Sequence, residues 1–119
     1  MSLLGPEPAK FAPLPRDFFR ALVKLLDILQ PPDLDRAMTK ASPRDDGVEV
    51  VLAHAREIPY TIWVQAERDQ ILVGCAATHE TRQDATEALA LIAQLLCGER
   101  EVRGYDGAPL RPDFGARKP

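Results

Sequence analysis

Residues 81–97, TRQDATEALALIAQLLC, carry a single apolar stripe directly behind three strand-like runs. Ala85, Ala88, Leu89, Ile92, Leu95 and Leu96 recur at helical spacing, which predicts a helix that buries one face. The runs before it are Val48–His54, Tyr60–Ala66 and Ile71–Ala77. A helix that follows a strand meander needs a sheet to cover. The expectation is therefore an α+β domain with an antiparallel sheet of four or five strands, in chain order α-β-β-β-α-β, and helices packed on the sheet.

The strands differ in how they alternate. In the first, Val48, Val50, Leu52 and His54 point one way and Glu49, Val51 and Ala53 the other. In the second, Tyr60, Ile62, Val64 and Ala66 make the apolar side, opposite Thr61, Trp63 and Gln65. This clean alternation predicts an antiparallel strand with one face in the core. The third, ILVGCAA, is apolar on both sides, as in a central strand or one paired with another chain. Glu67–Gln70 is the polar turn between them. Thr81 with Asp84 has the spacing of a capping box, and Gly98 is placed to close the helix in a left-handed conformation. Glu99–Tyr105 reads as a fourth strand, Asp106-Gly107 as a hairpin turn, and a fifth, edge strand runs through Leu110.

An earlier helix is predicted over residues 16–30. Phe18, Leu22, Leu25 and Leu29 share a face that Phe19 and Leu26 widen. Asp17 is placed to cap it, and Pro31-Pro32 stops it. So broad a face suits contact with the sheet or with a second subunit. Residues 33–41 form a short helix candidate, and Ser42–Gly47 reads as a loop. Three segments follow: a flexible Pro-rich arm over 1–14, from which Phe11 and Leu14 could dock on the body; one α+β domain over 15–107; and a solvated, Pro- and Arg-rich tail over 108–119.

With 119 residues the chain is one domain by length, large enough to bury a core without staples. Its net charge of −3 leaves no basic field for nucleic acid. The leading residues lack a basic stretch followed by a long apolar one, and no run reaches membrane-spanning length, so neither signal peptide nor membrane partner is expected. The location expected by default is cytoplasmic.

Chemistry is sparse. His54, Cys75, His79 and Cys97 are scattered without the paired spacing of a zinc site, so no metal and no cofactor is expected. The catalytic candidates are Cys75 with His54 or His79, as the thiol and base of a small thiol-dependent enzyme. Cys75 shares parity with core residues, which argues for an inert thiol. Asp45-Asp46 reads as a solvated turn.

The order helix, three strands, helix resembles that of double-stranded-RNA-binding domains. Those carry a lysine cluster where this chain reads TRQDATE, with Arg82 among acids. Size, acidic charge and element order are also similar to those of class I secretion chaperones, with no motif matched residue by residue. That resemblance implies a homodimer that binds extended partner segments. The favoured reading is a non-catalytic protein or peptide interaction module, homodimeric, with its interface among Trp63, Thr61, Val51, Leu72, Phe19 and Leu26. The alternatives are the thiol enzyme and an RNA-binding domain, the latter disfavoured by charge.

Overall fold

The computed structural model describes residues 4, 5, 7 and 11–117. The chain is an α+β protein in which a five-stranded antiparallel meander carries two helices on one face. The elements are α1 (Pro13–Leu29), β1 (Lys40–Pro43), β2 (Val48–Leu52), a 3-10 turn (Ile58–Tyr60), β3 (Ile62–Ala66), β4 (Ile71–Cys75), β5 (Thr78–Arg82), α2 (Ala85–Leu96), β6 (Val102–Arg103) and β7 (Pro109–Leu110).

Strict alternation makes this sheet two-faced. The inward set is Val48, Val50 and Leu52 on β2, Ile62, Val64 and Ala66 on β3, and Ile71, Val73 and Cys75 on β4, all at most 2% exposed. Register aligns them, with Val50 opposite Val64 and Val64 opposite Val73. Ala88, Leu91, Ile92, Leu95 and Leu96 of α2 lie over this face. From α1, Phe18, Phe19, Leu22 and Leu26 complete the same core against α2 and β3.

Several sequence expectations are corrected. Helix α1 begins at Pro13, before the capping position expected at Asp17, and its Ala12 cap makes no side-chain bond. Proline in the first turn supplies a pre-set φ where no N–H partner is needed. Residues 33–41 form no helix. The Asp35 carboxylate accepts the N–H groups of Ala37 and Met38, a local turn that competes with helix. Thr39 Oγ1 then accepts the Ala53 N–H, and the chain enters β1.

Thr81 does not cap α2. It lies in β5, and Asp84 caps the helix, its Oδ1 accepting the N–H of Thr86 at 2.6 Å. Gly98 does take the left-handed conformation just past the helix, at φ 72°. The strands expected after α2 stay out of the main sheet. They make a separate ribbon, β6 with β7, turned at Asp106-Gly107.

The solvated C-terminal end is also corrected over its described part. Phe114 is wholly buried and Ala116 nearly so. The Phe114 N–H donates to the Leu96 carbonyl at 2.9 Å, and its own carbonyl accepts from Asp33 N–H at 3.0 Å. Residues 118 and 119 lie outside the described residues, as do 1–3, 6 and 8–10 of the expected arm. Where that arm is described, Leu4 is buried, Glu7 pairs with Arg20 at 3.1 Å, and the Phe11 ring meets Phe19 edge-on at 5.7 Å.

Candidate functional site on the open face of the sheet

The other face of the sheet has no described helix over it. One cross-strand row reads Lys40, Val51, Trp63, Gly74, His79, and the next reads Ser42, Glu49, Gln65, Leu72, Thr81. Val51, Trp63, Gln65 and Leu72 are half-buried, while Lys40, His79 and Thr81 are exposed. A small apolar centre therefore sits inside a polar rim of mixed charge.

Trp63 organises that centre. Its indole lies across Gly74, where any Cβ would collide with the ring, so the strand needs glycine for the ring to lie flat. Beyond Gly74 the indole approaches His79, with ring centroids 6.4 Å apart and planes tilted by 37°. A long, rigid aromatic is thus held flat on the sheet with one side toward solvent.

Of the expected interface residues, Trp63, Val51 and Leu72 share this surface. Thr61 lies beside it at the start of β3, its Oγ1 accepting the His54 N–H at 3.2 Å. Phe19 and Leu26 do not belong: at 3% and 5% exposed they are core residues of the single chain. The breadth of the α1 face reflects two neighbours, helix and sheet.

The catalytic candidates are held apart. Cys75 faces inward, and burial pushes its thiol up to about 12. Among the described residues its Sγ–H meets the Tyr60 and Pro59 carbonyls, at 3.4 and 3.7 Å. A thiolate next to two carbonyl oxygens and no cation is poorly stabilised. His79 stands on the opposite face. His54 is buried, with both ring nitrogens engaged. Its Nε2 donates to the Asp113 carbonyl at 2.8 Å, and its Nδ1 accepts the N–H groups of Arg56 and Glu57 at 3.1 and 2.9 Å. The ring also meets Phe114 at 4.7 Å and Tyr60 at 5.2 Å. His54 is a structural rivet between the end of β2, the following loop and the C-terminal segment.

Several charges elsewhere are paired. Arg82, the cation ahead of α2, binds Glu80 at 2.8 Å, and Arg100 reaches the other Glu80 oxygen. The Arg82 hydrogen bond, with Arg100 behind it, holds the Glu80 carboxyl below its usual range against an opposing effect of burial. Beside the turns that join β1 to β2 and β3 to β4, a hollow of about 400 Å3 lies between the 44–48 and 65–69 segments. Both its arginines are already engaged, Arg68 with Asp46 at 3.0 Å and Arg44 with the nearby Glu49. Among the described residues no three His, Cys, Asp or Glu side chains converge as a metal group would require. No described helix is long and apolar enough to cross a membrane.

Sequence reasoning missed two exposed apolar side chains in the segments that lead into β1 and β3. Met38 (62% exposed) precedes β1, and Ile58 (81% exposed) precedes β3, both where β2 ends. Both sit in segments without periodicity, so no sequence signal marks them. Comparison of the chain with protein-family models, curated proteins and solved structures finds no match.

Proposed function

We propose that this protein is a non-catalytic interaction module, acting as a homodimer in the cytoplasm, whose open sheet face receives an extended polypeptide segment. The supporting observation is Trp63, laid flat over Gly74 on a face that both helices leave uncovered. Rigid aromatics with one free side contribute contact area at low entropic cost. The surrounding Lys40, Glu49, Gln65 and Thr81 offer both charge signs and hydrogen-bonding groups, as a mixed polypeptide requires. A phosphate backbone would meet a chain of net charge −3 in which Arg82 is already neutralised by Glu80.

The test is selection of short peptides from a display library, followed by titration against Trp63 fluorescence. Trp63→Ser and Leu72→Ser are expected to keep the fold and to weaken the selected peptides by tenfold or more, an aromatic anchor's usual weight. Selected peptides that bind Trp63→Ser unchanged would remove the open face from the proposal. Alkylation tests the non-catalytic half: Cys75 of the folded protein is expected to react far more slowly than in the unfolded chain. Rapid labelling at neutral pH would restore the thiol-enzyme reading.

A further inference from the structure

The two edges of the sheet differ in what they offer a partner. In β4–β5 the two-residue turn Ala76-Ala77 closes on Cys75 and Thr78, which fixes the phase of the ladder. Thr78, Glu80 and Arg82 then bond inward to Cys75, Val73 and Ile71, and the backbone groups of His79 and Thr81 turn outward. The Thr81 carbonyl accepts Arg82 Nη1 at 3.1 Å. The Thr81 N–H, and both backbone groups of His79, have no partner among the described residues.

The ribbon occupies only the first residue of this edge. The Ala77 N–H donates to the Arg103 carbonyl, and the Arg103 N–H donates to Thr78 Oγ1. Arg103 Nη1 is turned away to the Gly107 carbonyl. At β1 the Arg44 N–H to Gly47 carbonyl bond sets the opposite phase, so that Ala41 and Pro43 face outward. Proline has no N–H to give, and Lys40 adds a charge. That edge is guarded by both proline and lysine, whereas β5 has neither, and its inward charges Glu80 and Arg82 are paired with each other.

We infer that a second copy of this chain pairs with β5, antiparallel, about a two-fold axis at Glu80. This rests on the homodimer half of the proposed function and names its interface. Pairing about that axis sets His79 opposite Thr81 of the other copy, so the outward donors and acceptors meet in four backbone hydrogen bonds. A pattern that is its own complement is what a two-fold interface requires. The charges agree. Each Glu80 meets its own copy, yet its carboxylate is already bound by Arg82 and Arg100, and Arg82 of each chain falls diagonal to Glu80 of the other. The two open faces become one continuous surface. Five residues a side make a small contact, so the dimer dissociates on dilution.

Sedimentation of the full chain over a concentration range tests this. Thr81→Pro removes two of the four N–H donors without touching the β4 ladder, and is expected to weaken dimerisation at least about tenfold with an unchanged circular dichroism spectrum. Independently, Glu80→Cys is expected to form an interchain disulfide on mild oxidation, because a non-hydrogen-bonded antiparallel pair lies within disulfide reach. A dimer that survives Thr81→Pro, with no cross-link in the Glu80→Cys variant, would overturn the edge and leave a homodimer through another surface. A wild-type chain that stays monomeric at high micromolar concentration would overturn both. If Thr81→Pro unfolds, the cross-link alone decides.

Discussion

On its three central strands the inner face of the sheet commits every side chain to the core, while the outer face lays its largest one on a single glycine. From Val48 to Cys75 the inward residues are at most 2% exposed, yet their outward neighbours Val51, Trp63 and Leu72 are half-buried. The same strands, with the same hydrogen bonds, thus serve two purposes at alternate positions. The largest measurable difference follows from this. Ile62→Ala is expected to cost about 3 kcal/mol, since it leaves a cavity in the core between the sheet and the helices. Val51→Ala, one position out of phase on the paired strand, is expected to cost about 1 kcal/mol or less. Chemical denaturation of both variants checks the contrast; equal costs would mean that the outer face is also sealed.

The second test concerns His54, a buried polar residue just past the end of β2. His54→Phe keeps a ring against Phe114 and Tyr60 but strands the Arg56 and Glu57 N–H groups and the Asp113 carbonyl. Three part-buried groups left without their partner outweigh the retained stacking, and the expected loss is about 2 kcal/mol. Hydrogen exchange should show the segment around Phe114 opening first. Uniform loss of protection would instead make His54 an ordinary core residue.

How far the sequence revealed this follows from where periodicity operates. The middle strands were legible because Ile62, Val64 and Ala66 alternate with Trp63 and Gln65. The stripe of α2 was legible because one face alone meets the sheet. The edge strands were not. Lys40–Pro43 and Thr78–Arg82 have no apolar alternation, and they are strands because β2 and β4 lie beside them. The turn that creates β5 uses Ala76 at φ 52°, a conformation that two alanines do not announce. Among the site residues, Trp63, Val51 and Leu72 followed from parity. Phe19 and Leu26 did not, because a broad helical face looks the same whether it meets a sheet and a helix or another subunit. Phe114 was hidden in a Pro-rich end. Its one signal was to be the sole large apolar residue there after Leu110.

A smaller effect probes the outer face alone. Gly74→Ala places a methyl under the Trp63 ring, so the indole must lift away. The expected cost is about 1 kcal/mol, accompanied by red-shifted emission. In a Trp63→Ser background the same change should become neutral or stabilising, because alanine then merely reduces the entropy of the unfolded chain. Additive costs in the double-mutant cycle would show that the ring does not lie on Gly74.

The smallest effect lies where the inner face runs out of apolar residues. On β5 the inward positions are Thr78, Glu80 and Arg82, all half-buried, and Glu80 joins Arg82 to Arg100. Its carboxyl is held below the ordinary value of 4.5, so the folded state favours the ionised form. That contribution is complete above the unfolded carboxyl's titration and is lost as pH falls through the lower, folded one. Glu80→Gln should therefore cost a few tenths to about 1 kcal/mol at neutral pH, in line with other partly exposed ion pairs. The gap between wild type and variant should close as acid protonates Glu80, beginning near 4.5 and continuing below it. A gap that persists unchanged at lower pH would assign Glu80 a packing role, and the polar edge would then differ from the greasy centre in composition but not in how it holds the sheet.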